Sequence, residues 1–131
     1  MLGTPPLLNL IVVRSADLDR AERFYRALGL HFERHRHGTG PEHLAAQPHA
    51  GGYVFEIYPA SAKAGSTTGV RIGFSMDAVD VYLDQLVEAG GTIVQAPVDS
   101  EWGRRAVVAD PDCHRVELVA LPDCQAAILR S

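Results

Sequence analysis

Residues 10–29 read LIVVRSADLDRAERFYRALG, and residues 71–90 read RIGFSMDAVDVYLDQLVEAG. Each stretch opens on a strand-like run bounded by polar residues, Leu10–Val13 in one and Arg71–Phe74 in the other. Each continues past an aspartate, Asp17 or Asp77, into apolar residues at helical spacing and ends on a glycine, Gly29 or Gly90. The helical sets are Leu18, Ala21, Phe24, Tyr25 and Leu28 in the first stretch, and Val79, Leu83, Leu86 and Ala89 in the second. The glycines are 61 residues apart (90 − 29). The same offset lays Phe32 on Ile93 and Val54–Ile57 on Arg115–Leu118, so that Glu56 falls on Glu117. A single offset matching a strand, a helix, its terminating glycine and a late carboxylate marks an internal repeat, longer than a solenoid unit.

Three further strands are expected after each helix. In the first copy they are Leu30–Arg36, His43–Gln47 and Tyr53–Tyr58; in the second, Thr92–Pro97, Arg104–Ala109 and Arg115–Leu121. Turns at 38–41, 48–52 and 110–113 separate them. Each copy therefore reads βαβββ, and the fold class is α+β with two tandem modules: 7–60, a small-residue linker at 60–68, and 69–121, followed by a tail at 122–131. One such unit leaves a sheet face uncovered, so two must pack together.

The 131 residues carry a formal charge of −4, with 47% apolar and 21% charged side chains, the composition of one globular domain. The longest unbroken apolar run, Leu10–Val13, falls far short of the roughly 20 residues that span a bilayer. There is no basic block to hold nucleic acid or an anionic membrane, and Met1–Pro6 has no signal-peptide pattern. Cys113 and Cys124 lack metal-site spacing and are expected as reduced thiols in a cytoplasmic protein. Of the 12 basic residues only Lys63 is lysine; the rest are arginine, whose planar fork suits carboxylates and phosphates.

The run Val13–Leu18, with Phe24-Tyr25 and Leu28-Gly29-Leu30 behind it, resembles the opening of the vicinal oxygen chelate superfamily. Phe55-Glu56-Ile57 and the segment Asp110–Leu118 resemble its module endings. That superfamily includes glyoxalase I, the bleomycin and fosfomycin resistance proteins and the extradiol dioxygenases. The resemblance covers about residues 7–121 and implies paired modules, each curling a sheet into half of a cup that a homodimer completes. It implies metal ligands on the first and last strands of each module, which here are Leu10, Glu56, Arg71 and Glu117. Leu10 has no donor atom and Arg71 is a permanent cation, so two carboxylates remain for a possible divalent metal ion. Cys113 stands where the family has glycine, and so is expected in a left-handed turn position.

Other residues add to this set. If 47 pairs with 52, His43 lies across from Glu56, either as a third ligand in a His43–Glu56–Glu117 cluster or as a hydrogen-bond partner of Glu56. The offset places His43 on Arg104, so the expected cup floor sets Glu56 and Glu117 against Arg71 and Arg104; a register shift in the second hairpin would substitute Arg105. Trp102 lies in a segment resembling the family's substrate-facing loop, Arg14 ends the first strand within reach of an anionic group, and Tyr58 shares parity with Glu56. His35 and His37 share a face that permits chelation, and also suits solvated edge-strand histidines. Three readings follow. The first is a metal-poor cup binding a small polar or anionic molecule. The second is a metal-dependent lyase, isomerase or dioxygenase using Glu56, Glu117 and His43. The third is a metal-free acid–base enzyme in which Glu56 or Glu117 works beside an arginine clamp.

Overall fold

The computed structural model describes residues 3–47 and 52–122. The first module runs β1 (Leu10–Ser15), α1 (Leu18–Leu28), β2 (Glu33–His35), β3 (His43–Ala46) and β4 (Val54–Pro59). The second runs β5 (Arg71–Met76), a 3-10 turn (Asp80–Tyr82), α2 (Leu83–Glu88), β6 (Thr92–Ser100), β7 (Gly103–Ala109) and β8 (Arg115–Ala120). Their sheets are ordered β1-β4-β3-β2 and β5-β8-β7-β6, with the first and last strands parallel in both. Two βαβββ modules are thus present, as the 61-residue repeat requires. Most of the tail at 122–131, including Cys124, and most of the turn at 48–52 lie outside the described residues.

Local chemistry explains the first helix. The Asp17 side chain accepts a hydrogen bond from the Arg20 amide, a standard N-cap. At the other end Gly29 (φ 111°) and Leu30 donate their amides to the carbonyls of Arg26 and Tyr25, the paired bonds of a Schellman motif. The second helix is shorter than its apolar spacing predicts. Its N-cap residue, the β-branched Val79, makes no side-chain cap bond, and the first turn, which holds Val81, winds as a 3-10 turn. Two strand ends also differ from expectation: β2 is confined to three residues, and β6 runs on past Pro97 to Ser100. Pro97 is tolerated because β6 is an edge strand whose register shifts between Gln95 and Val98.

One core joins the modules. Tyr25, fully buried on α1, packs its ring 5.2 Å from Phe55 of β4 and 6.4 Å from Phe74 of β5, and Phe55 and Phe74 meet at 6.3 Å. Gly91 lets Phe24 and Val108 approach so closely that a Cβ there would sit 2.6 Å from the Phe24 ring. The two sheets therefore bury the same kind of face toward each other, lined by Val13, Phe55 and Ile57 on one side and Ile72, Val116 and Leu118 on the other. Their remaining faces turn away from this core.

The Asp110–Cys113 turn adopts the left-handed conformation that the family resemblance implies, with Cys113 at φ 67°. Replacing Cys113 with glycine should remove that strain and raise stability by about 0.5–1 kcal/mol in urea unfolding, since a side chain in this region costs roughly 1–2 kcal/mol and glycine returns part of that as chain entropy.

Candidate functional site

Register defines what each outward face carries. In the first module β1 pairs Val12 with Glu56 and Arg14 with Tyr58, while β3 pairs Ala45 with Glu56 and β2 pairs His35 with His43. His43 does not lie across from Glu56, as the 47–52 pairing would require. The ladder is displaced by two residues, which preserves the face and leaves His43 beside Tyr58. Their rings stack at 4.1 Å and 6°, and the Arg14 guanidinium sits 5.1 Å from the centre of the Tyr58 ring. His43 is 1% exposed, with Nδ1 3.5 Å from the Pro41 carbonyl and Nε2 3.4 Å from Glu56 Oε2. The second contact is within ion-pair range but lacks hydrogen-bond geometry, so Nε2 is a buried atom with no hydrogen-bond partner among the described residues. The rings of His35 and His37 stand 5.9 and 5.2 Å from that of His43.

The second face repeats the plan with different chemistry. Gly73 and Val107 flank Glu117, and Arg71 lies beside Arg115. Glu117 accepts from Arg105 Nε at Oε1 (2.6 Å) and from Arg71 Nε at Oε2 (3.1 Å), with Arg71 Nη2 also 3.0 Å from Oε2. Arg105 donates a further bond to Gln95 Oε1 at 2.9 Å. Hydrogen bonds from Arg105 first and Arg71 second hold the Glu117 carboxyl below the usual carboxylate range.

Arg104 does not belong to this face. Its side chain emerges on the opposite side of β7, where it binds Asp80 through two nitrogens (2.9 and 3.0 Å) and Asp99 at 3.1 Å. Ala45 opposes Glu56 but Val107 opposes Glu117, so the third strand of the repeat is offset by 62 (107 − 45) while the fourth is offset by 61 (117 − 56). That one-residue slip makes Arg105 the counterpart of His43. Arg115 was not marked by sequence reasoning; the parallel pairing of first and last strands is the signal that places it next to Arg71. Trp102 is 69% exposed on the two-residue turn between β6 and β7. A cavity of about 500 Å³ opens beside Arg104, walled by Asp80, Asp99 and Ser100. It lies behind the sheet from Glu117 and runs at Pro122 to the limit of the described residues, so the outward faces are the stronger candidates.

The two acids are not brought onto one floor within the chain. Glu56 and His43 belong to one outward face and Glu117 to the other, and among the described residues no three His, Cys, Asp or Glu side chains gather to hold a metal ion. At the positions the fold family uses for metal, Leu10 is hydrocarbon and both oxygens of Glu117 are engaged by guanidinium groups. A divalent cation at Glu117 would have to displace two arginines, so these residues do not fit the family's metal. Among the described residues no helix is long and apolar enough to cross a membrane.

The comparisons with known proteins agree on the architecture. The family model for the Glyoxalase/Bleomycin resistance protein/Dioxygenase superfamily matches residues 7–118. The antibiotic binding protein TnmS3 from Streptomyces sp. CB03234 superposes with a TM-score of 0.73 at 21% identity, over 92% of this chain and 100% of that one. A glyoxalase/bleomycin resistance protein/dioxygenase family enzyme from Burkholderia phytofirmans PsJN gives 0.70 at 16% identity, over 89% and 100%. A glyoxalase-related enzyme from Fulvimarina pelagi gives 0.68 at 23%, over 88% of each chain. At such identities the likeness speaks for the fold alone. No curated protein matches the sequence. With its repeated βαβββ modules and a family match over most of its length, the chain belongs to the Glyoxalase/Bleomycin resistance protein/Dioxygenase superfamily.

Proposed function

We propose that the protein binds a small polar or anionic molecule in a metal-poor cup, as a homodimer in a reduced, cytoplasmic setting. The observation that carries this reading is the pair of open faces. Leu10 and Val12 are 48% and 38% exposed beside Glu56, and Arg71 has 55% of its side chain exposed beside Glu117. Setting the first-module face of one copy against the second-module face of another would cover both and converge their polar groups on one ligand. Charge favours that arrangement: the first-module face presents Glu33 and Glu56 beside Arg14, and the second presents Arg71, Arg105 and Arg115 around Glu117. The antibiotic-binding role of TnmS3 agrees with small-molecule binding on this fold.

Binding is preferred over acid–base catalysis because a general base works best with a pKa near the operating pH, whereas the arginines hold Glu117 well below it. It is preferred over metal chemistry because the ligand set is interrupted at Leu10 and Arg71. Sedimentation equilibrium together with metal analysis of untagged protein refilled with nickel, zinc, manganese or iron tests both points. A dimer without stoichiometric metal is expected. Metal that binds one per chain and is lost in His43→Ala would move the assignment to the metal-dependent reading.

A further inference from the structure

We propose that the second-module face recognises a carboxylate on a monoanionic ligand, and that Glu117 is the internal counter-ion this carboxylate displaces from Arg71. The inference rests on the small-molecule reading above and adds the charge and shape of the group recognised. By register, Arg71, Arg105 and Arg115 share one face with Glu117. That is a local surplus of two positive charges (three guanidiniums against one carboxylate) on a chain whose formal charge is −4. If the first-module face of a second copy is set opposite, Arg14, Glu33 and Glu56 join the count. Four guanidiniums then meet three carboxylates, and one negative charge completes the balance.

The three arginines are not equivalent. Arg105 is the fixed one, with 21% of its side chain exposed and bonds to both Glu117 and Gln95. Arg71 is over half exposed, reaches only one oxygen of Glu117, and has no partner for Nη1 among the described residues. Arg115, directly beside it on the parallel ladder, is exposed and has no side-chain hydrogen bond or ion pair among the described residues. Neighbouring parallel strands stand about 4.8 Å apart, so the two forks can grip one planar carboxylate from either side. Gly73 opens the space in front of them: it faces Glu117 across the ladder, and no atom of the described residues lies within 4 Å of where its Cβ would be. An exposed arginine–carboxylate pair is weak in water, so Arg71 can exchange Glu117 for a ligand carboxylate at little cost. The planar fork prefers such a group over a neutral amide.

The test is a titration with benzoate and with its neutral analogue benzamide, followed by NMR of the arginine Nε–H groups at fixed ionic strength, on wild type, Arg71→Ala, Arg115→Ala, Glu117→Gln and Gly73→Leu. Benzoate should bind and benzamide should not. Loss of either arginine should weaken benzoate binding about tenfold, as expected for a charge-assisted contact. Gly73→Leu should weaken it with the protein still folded. Glu117→Gln is decisive, because freeing Arg71 should tighten benzoate binding by up to about tenfold; weaker binding in that variant would overturn the counter-ion role. Equal binding of benzoate and benzamide would overturn the carboxylate assignment. A neutral or cationic compound that binds when benzoate does not would also overturn it, while leaving the small-molecule reading intact. If no compound of any charge binds, both fall.

Discussion

Replacing Asp110 with alanine is expected to lower the unfolding free energy by about 3–5 kcal/mol, the range seen when one partner of a buried polar pair is removed. Asp110 is 3% exposed and accepts four hydrogen bonds. Oδ2 takes the Tyr25 hydroxyl at 2.6 Å and His114 Nδ1 at 2.7 Å, and Oδ1 takes the amides of Asp112 and His114, each at 2.9 Å. The chain of contacts continues through His114 Nε2, 2.6 Å from the Thr67 hydroxyl, which accepts the Arg14 amide at 2.9 Å. Tyr25 and Arg14 belong to the first module, Asp110 and His114 to the second, so this network fastens the two halves together. Alanine would leave two buried side-chain donors and two amides unmatched. Urea unfolding of the variant measures the loss; a change below about 1 kcal/mol would mean that water replaces the carboxylate freely.

The same network sets a pH dependence. Burial raises the Asp110 pKa, but hydrogen bonds from His114 and Tyr25 outweigh it, and the net shift is downward. A carboxyl whose folded pKa is depressed stabilises the fold above its unfolded value of about 3.9, and that contribution disappears as pH falls through the folded value. Stability should therefore decline below about pH 4, and Asp110→Asn should flatten that decline. Burial first, and the Asp110 charge second, raise the Tyr25 pKa well above 10.0. The corresponding contribution is complete below about pH 10 and is lost as pH rises toward the folded value.

The modules were legible because their signals are local. The caps at Asp17 and Gly29 are made by bonds to residues within four positions in the chain, and a repeat with period 61 displays itself without reference to neighbours in space. The left-handed position at Cys113, in contrast, was implied only by the resemblance to a family that carries glycine there. The site was harder to read because it depends on register. A uniform offset selected Arg104, and a one-residue slip between the third and fourth strands put Arg105 on Glu117 instead. Because side chains alternate across a strand, a slip of one exchanges faces entirely, whereas the two-residue displacement at His43 left it near Glu56. How the modules pack is a tertiary choice that no short motif encodes. Phe55 and Phe74 could have lined a cup within one chain as well as a shared core; only the structure shows that the acids point away from each other's module.

Gly103→Ala should be the other strongly destabilising substitution, by roughly 2–5 kcal/mol, because strain and collision coincide there. Gly103 closes the β6–β7 turn opposite Ser100 with φ +122°, a conformation that a side chain disfavours. Its Cβ would collide with the Ala120 carbonyl oxygen and lie 3.1 Å from the Leu121 Cα, and backbone of the neighbouring strand cannot swing aside as a side chain can. Relief requires β7 to move away from β8, the ladder that holds Arg105 on Glu117. The variant should therefore lose thermal stability and, where it remains folded, shift the Arg105 Nε–H resonance. Gly29→Ala supplies the control. Gly29 has a similar φ of +111° but no atom of the described residues within 4 Å of the added atom, so it should cost only the conformational strain of about 1 kcal/mol. The difference between the two variants measures the backbone contact by itself, and equal losses would show that β7 is free to shift and that register does not pin Arg105 to Glu117.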